Sequence, residues 1–285
     1  MDPVEPAPLE PVPGDPFRPT VVGHAALDLC SPLAPERWDA LLTRLAAELK
    51  AERSPLVLDL AGGKGSLARD VTLRTGGRGV VVDVNPYFLD ACGASARAMG
   101  LVAEDPATPG EVSCVLSDVC RFAAGQPAGA ADLVACVGAR PWAEGGVPVS
   151  TDAHGDRAAT LTALRDLARP GGLVLVGEEF YHRAPDAELQ AVLGGSSTDF
   201  TFGFEALVEL AVGLGFEVVE AFPSTEAELR AYDGSFHSAL QAFVDEHPGD
   251  PDTPRFRERL EVWCPLFERN PETLGFGWYL LRRTG

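Results

Sequence analysis

The sequence predicts an α/β fold in which a largely parallel sheet is doubly wound, with helices on both faces. Three observations predict it. From residue 36 onward, short apolar runs alternate with helically periodic segments, and alternation of that kind feeds parallel strands joined by crossover helices. The first apolar run breaks into a glycine-rich turn that opens a helix. The last third abandons the alternation: apolar runs at 216–222 and 275–283 stand apart across a long helical stretch.

Taken in order, residues 1–35 are broken by prolines and read as an arm that wraps the domain or stays partly mobile, with a single turn at 27–30. In 36–52, Trp38, Leu41, Leu42, Leu45, Ala46 and Leu49 fall at helical spacing. Strands follow at 56–61, 79–84, 112–117, 131–138 and 173–178, each an apolar run of the kind a buried parallel strand requires. Helices are expected at 66–75, at 86–99 behind Pro86, and at 158–168 before the turn Arg169-Pro170-Gly171-Gly172. A helix at 204–214 stops at Gly215, and strand six occupies 216–222. Helical periodicity then fills 225–269, interrupted at His247-Pro248-Gly249-Asp250-Pro251, before an aromatic strand at 275–283. The expected organisation is an arm (1–35) and one domain (36–285), with 225–269 inserted as a helical lid.

Composition narrows the function. The 285 residues carry a formal net charge of −19 and an estimated pI of 4.6. Such a surface repels phosphate backbones, and no Lys/Arg stripe interrupts it, so nucleic acid is not the expected partner. No apolar run approaches the ~18 residues of a membrane span, and the acidic, proline-rich start lacks the basic flank and apolar core of a secretory signal. The expected location is the cytoplasm. Lys50 and Lys64 are the only lysines among abundant Arg, Ala, Gly and Pro, a bias that looks like GC-rich bacterial coding. The six cysteines are scattered without a CxxC pair and read as buried thiols. No clustered His/Asp/Glu set argues for a metal.

The strongest local signal is Val57-Leu58-Asp59-Leu60-Ala61-Gly62-Gly63-Lys64-Gly65, a strand running into a turn where backbone can approach a nucleotide-like ligand. Asp83 closes the next apolar run, where a carboxylate can accept both hydroxyl protons of a ribose. Gly63-x-Gly65-x-x-Ala68 also fits a dinucleotide fingerprint, although Asp59 inside the strand argues against that assignment. Asp118, after the third strand, is open to two readings: a helix N-cap, or an acceptor for an exocyclic adenine amine. The loop Cys136-Val137-Gly138-Ala139-Arg140-Pro141-Trp142 lies beyond a strand's carboxyl end, where ligands sit in open parallel sheets.

At these residues the chain resembles the class I S-adenosylmethionine-dependent methyltransferases, over roughly residues 36–285. The likeness rests on 57–65 as glycine motif, 80–83 as ribose-binding strand and Ser117-Asp118 as adenine contact. It extends to Ala131-Asp132-Leu133-Val134-Ala135-Cys136, to 167–177 as the "LRPGG" turn with its strand, and to the final strand pair. The resemblance implies a Rossmann-like seven-stranded sheet of order 3-2-1-4-5-7-6 with an antiparallel last strand, and S-adenosyl-L-methionine as cofactor. It also implies Asp59, Ala61, Gly62, Gly63, Gly65, Asp83, Val84, Asp118, Val119, Cys136 and Gly138 as the cofactor-binding residues. Val176–Tyr181, 205–216 and Thr273–Tyr279 resemble a bacterial branch of small-molecule or uncharacterised methyltransferases, which implies a small acceptor methylated on O, N, S or activated C, with secondary metabolism as one setting. Two positions depart from the usual DxGxGxG: Ala61 at the first glycine, and Lys64, expected to point into solvent.

The family has no universal catalytic residue, because alignment and desolvation supply much of the acceleration and a base is needed only when the acceptor must lose a proton. His182 and His154 are the candidate bases, with His237 behind them; Glu178 or Glu179 could bind a cationic acceptor, and Trp142 and Tyr181, with Phe180 and Trp263, could form an aromatic wall. The competing readings are a nicotinamide-dependent oxidoreductase, a non-catalytic partner or regulator retaining the fold, and use of the cofactor in another reaction. Oligomeric state stays open, a homodimer among the options.

Overall fold

The strand that opens the alternation, β1 (Leu56–Leu60), sits in the middle of a seven-stranded sheet. In this computed structural model residues 9–49, 54–101, 110–142, 156–193, 199–270 and 272–285 are described. The other strands are β2 (Arg78–Asp83), β3 (Glu111–Leu116), β4 (Ala131–Val137), β5 (Ala168–Tyr181), β6 (Phe216–Pro223) and β7 (Leu274–Arg283). Their order is β3-β2-β1-β4-β5-β7-β6. The first five pair in parallel, and β7 runs antiparallel between β5 and β6.

The arm contains α1 (Arg18–Gly23). α2 (Pro35–Leu49), α3 (Ser66–Thr75) and α4 (Pro86–Ala98) cover one face, where Leu41, Leu45, Val71 and Cys92 pack on Val57, Leu133, Leu175 and Trp278. α5 (Val119–Ala124), α6 (Arg157–Leu167) and, beyond α7 (Ala187–Leu193), α8 (Phe204–Gly213) cover the other, burying Leu58, Val134, Val176 and Tyr279. Side chains alternate across a strand, so each strand feeds both cores: Leu173 and Leu175 of β5 enter the first, Val174 and Val176 the second.

β5 is longer than its apolar run. It reaches Tyr181 because β7 pairs with it from Leu173↔Arg282 to Tyr181↔Leu274. At its start, the Arg169–Gly172 turn is taken up as an irregularity between the Ala131↔Ala168 and Leu133↔Leu173 pairs of β4 and β5.

The segment between β6 and β7 folds as α9 (Glu226–Glu246), α10 (Thr253–Glu258), a π-helical turn (Arg259–Trp263) and α11 (Cys264–Arg269). α9 begins in a capping box, Thr225 and Glu228 satisfying each other's backbone amides. Together with the arm it builds a third, small core: Leu240, Val244 and Phe256 pack with Val22, Phe236, Phe243 and Leu260. α1 lies so close to α9 that a Cβ at Gly23 would fall 2.1 Å from the Phe236 ring. Arg18 fixes the contact through 2.7 Å ion pairs to Asp250 and Asp252. Residues 28–32 form bends, and no turn spans 27–30 as expected. Among the described residues no helix is long and apolar enough to cross a membrane.

Candidate active site

The carboxyl ends of β1 and β2 meet at the glycine turn. Ala61, Gly63 and Gly65 all have positive φ (53°, 56° and 71°). Gly65 could be nothing else, since a Cβ there would meet the Cys92 sulfur at 2.4 Å. At Ala61 the left-handed backbone costs roughly 1–2 kcal/mol, strain of the kind that collects at functional turns. Asp59 is buried beneath the turn and accepts from the Ala68 amide at 3.2 Å; burial pushes its carboxyl up to about 7. Asp83 accepts from Gly63 N and Asn85 N, both at 2.8 Å. Burial raises its pKa while those amides pull it down. Its carboxylate is thereby held at the end of β2, facing the turn.

The arm crosses this turn. Lys64, expected in solvent, donates from Nζ to the carbonyls of His24 and Leu27, each at 2.7 Å. A chain segment passing over the motif offered two carbonyls, and an ammonium gains more from them than from water at a half-buried position. Ser66 Oγ donates to the Asp28 carbonyl at 2.7 Å, and Arg69 pairs with the Asp28 carboxylate. Beneath residues 28–31 remains a cavity of about 60 Å³, floored by Asp59, Ala61, Gly62 and Gly63. That is well under the ~300–1,000 Å³ of sites that enclose a small molecule.

A larger cavity of about 570 Å³ lies next to it and shares Cys30 and Ser31 as a wall. Gly138 after β4, Glu179 of β5, Phe276 of β7 and Glu226, Tyr232, Asp233 and His237 of α9 line it. Desolvation and the neighbouring Glu179 push the Asp233 carboxyl up to about 6, against the pull of Arg259. Behind Tyr232 sits His24 of the arm: Nδ1 lies 2.8 Å from the Thr20 carbonyl and Nε2 lies 2.8 Å from Tyr232 Oη.

The structure divides the residues singled out from sequence. Asp59, Ala61, Gly62, Gly63, Gly65 and Asp83, with Val84 following, gather at the turn. Asp118 caps α5, its Oδ1 accepting from Arg121 N at 2.9 Å, with Val119 buried behind it. Cys136 is buried, its Sγ 3.4 Å from the Ala139 carbonyl, and Gly138 reaches the larger cavity. Glu179 reaches that cavity; Glu178 does not. Glu178 is on the opposite face, 3.2 Å from both Arg140 and Arg157, because consecutive strand residues point opposite ways. Burial pushes its carboxyl up to about 7 while the two guanidiniums pull it down. Trp142 likewise is buried in the core behind α6 rather than lining the larger cavity. Tyr181 packs edge-on against Phe200, and His182, exposed, against Phe180. His154 lies outside the described residues.

His24, Tyr232 and Asp233 are the residues that sequence reasoning passed over. Glu226, Leu229, Arg230, Asp233 and His237 share one face of α9 at spacings of three and four, a polar stripe that was readable. His24 was not, lying in an arm without periodicity. Among the described residues no group of three or more His, Cys, Asp or Glu could hold a metal.

A sheet of this order with a reversed seventh strand, an acidic residue beneath a glycine turn and a second carboxylate ending β2 define a nucleoside-binding domain of the methyltransferase class. No family model matches the chain. It is 24% identical to the uncharacterised protein YjhP of Escherichia coli (strain K12) over 219 residues, 76% of this chain and 80% of that one. Among solved structures it is similar to an S-adenosylmethionine-dependent methyltransferase from Thiobacillus denitrificans in complex with S-adenosyl-L-homocysteine. The two share 26% identity and a TM-score of 0.72, covering 93% of this chain and 97% of that one. A Geobacter sulfurreducens methyltransferase in complex with the same ligand matches with the same identity, coverage and score. These likenesses support the class I S-adenosylmethionine-dependent methyltransferase family for this chain, and with it an enzyme whose cofactor is S-adenosylmethionine.

Proposed function

We propose that this enzyme transfers the methyl group of S-adenosylmethionine to a small acceptor seated in the larger cavity. One observation carries the reading: the cavity at the glycine turn and the 570 Å³ cavity beneath α9 lie side by side, with Cys30 and Ser31 lining both. Donor and acceptor sites side by side are what an in-line displacement needs, and orientation of two bound reactants can supply on the order of 7–11 kcal/mol. When bound, the cofactor supplies a methyl group on a sulfonium, whose thioether is a good leaving group.

The residues fit that cofactor. The Asp83 carboxylate, steadied by Gly63 and Asn85, has lone pairs left for ribose hydroxyls. The Gly62 backbone packs so closely on Asp59 that a Cβ there would lie 2.6 Å from its Cγ, so only glycine lets the turn settle onto that carboxylate. Asp118 with Val119 is assigned to the adenine, and Cys136 and Gly138 to the loop beside it. On the acceptor side, Glu179 stays a binding residue. Residues 225–269 act as the lid, with the arm completing the enclosure. The acidic surface and recessed cavity favour a small molecule over nucleic acid.

Calorimetric titration with S-adenosylmethionine and S-adenosylhomocysteine, with NAD(H) and NADP(H) as controls, tests the reading. Micromolar binding of the adenosyl pair alone, weakened at least tenfold in Asp83→Ala with folding checked by circular dichroism, supports it. Binding of the nicotinamide cofactors instead would make the chain an oxidoreductase, and binding of neither would leave a non-catalytic relative.

A further inference from the structure

We propose that Tyr232, with His24 behind it, takes the acceptor's proton during methyl transfer, and that the acceptor is a small basic amine. The inference rests on the methyl-transfer reading and deepens it.

The hydrogen bonds set the direction of the relay. A backbone carbonyl only accepts, so His24 Nδ1, 2.8 Å from Thr20 O, carries the proton of the neutral ring. Nε2 is then a lone pair, and the Tyr232 hydroxyl 2.8 Å away donates to it. The tyrosine oxygen keeps lone pairs for a proton on the cavity side, where Tyr232 forms part of the lining. The Cys30 carbonyl, 3.4 Å from Oη, is a second, weaker acceptor for the hydroxyl. Phe88 and Phe236 pack edge-on against the His24 ring, so the imidazole is screened from bulk water and its proton leaves or arrives through Tyr232.

The charges around the relay select the acceptor. Burial holds the His24 pKa below the ordinary imidazole value against the Thr20 carbonyl, and Lys64 and Arg259, which face the ring, add to that lowering. Arg259, Asp233, Glu179 and Cys30 face Tyr232, whose ionisation burial opposes. Glu226 in the lining is paired with Arg230. Glu179 and Asp233 are acidic side chains of the same lining, and they outnumber Arg259. A wall of that sign draws in an ammonium and discourages a carboxylate or phosphate. Carboxylates that attract an ammonium also hold its proton, and a protonated nitrogen has no lone pair to attack with, so a base beside them is required.

The step balances. The ammonium gives one proton to Tyr232 Oη as the tyrosine proton passes to His24 Nε2, leaving a neutral amine and an imidazolium held by Thr20 O. The freed nitrogen lone pair forms the N–CH₃ bond as the C–S bond breaks, its electron pair remaining on sulfur. The product is a methylammonium, and His24 returns its proton to solvent after release.

The test uses the full-length enzyme, methyl-labelled S-adenosylmethionine and a panel of primary and secondary amines from ethanolamine to phenethylamine, each beside its matched alcohol, phenol or carboxylic acid. Transfer to amines is expected, with kcat falling on an acid limb below the ordinary imidazole pKa. Tyr232→Phe is expected to lower kcat by ~10²–10⁴-fold, with amine KM unchanged and the acid limb lost. Glu179→Gln is expected to raise amine KM about tenfold or more while leaving the acid limb in place. Transfer to alcohols, phenols or acids but not to amines overturns the inference, as do transfer to no member of the panel and an undiminished kcat in Tyr232→Phe. S-Adenosylhomocysteine affinity is measured on every variant: unchanged affinity confines a failure to this inference, whereas its absence in the wild type removes the methyl-transfer reading itself.

Discussion

Glu178 and Glu179 are neighbours in the chain and occupy opposite sides of the sheet. On the α6 side, Glu178 is buried between two guanidiniums and serves the core. On the α9 side, Glu179 opens into the larger cavity beside Phe276, its cross-strand partner on β7. The same chemical group is structural on one face and available to a ligand on the other. The difference comes from what covers each side chain: Arg140 and Arg157 close over Glu178, whereas the arm and α9 leave space beside Glu179.

Truncation of Glu178 should break that contrast most severely. Glu178→Ala leaves Arg140 and Arg157 facing an empty buried site and is expected to cost about 3–5 kcal/mol, read as a shifted denaturation midpoint at unchanged m-value. A cost under 1 kcal/mol would mean that water reaches the pair.

The pH dependence of stability sharpens the same comparison. Asp59 and Glu178, each pushed up to about 7, bind protons more tightly folded than unfolded. Between about 4, where unfolded carboxyls titrate, and about 7 they make the protein less stable as pH rises. Asp28 and Glu228 are held below their ordinary values, Asp28 mainly by Arg69 and Glu228 by amides and Arg37 acting against burial. Their stabilisation is complete above the unfolded carboxyl values and is lost as pH falls through their folded ones. Thermal melts should therefore peak on the acid side of neutrality and fall by a few degrees toward pH 8. A flat profile from pH 5 to 8 would contradict the raised values.

Smaller effects are expected where the arm meets the cavity face. Lys64→Ala removes both bonds to the His24 and Leu27 carbonyls, at about 1–2 kcal/mol. It should also speed association of S-adenosylhomocysteine in stopped-flow measurements; an unchanged rate would show that residues 24–31 do not gate the turn. Glu179→Ala should change stability least, within about 0.5 kcal/mol, and a loss as large as that of Glu178→Ala would erase the distinction between the two faces.

Most of the fold was legible because its determinants are local. The apolar runs fell within one or two residues of β1 to β4, β6 and β7, since a buried parallel strand is written as consecutive apolar residues. β5 was read short because Glu178 and Glu179 look like a strand's end until β7 is known to lie alongside. The turn with Asp59 and Asp83 was legible for the same reason: a strand, a glycine turn and a strand-end acid are contiguous patterns. The acceptor side was not. Lys64 was assigned to solvent because nothing in its neighbours reveals a chain passing overhead.

By itself, then, the sequence determined a doubly wound sheet ending in two strands set apart by a helical segment, and a glycine turn open to a nucleotide-like ligand, because periodicity and turn chemistry act over a few residues. Only the tertiary structure decided which of two adjacent glutamates meets the cavity, that Trp142 is core, and that His24 stands behind Tyr232. Those two residues are 208 positions apart in the chain. No local propensity records such a pairing; it exists only once α1 has packed on α9.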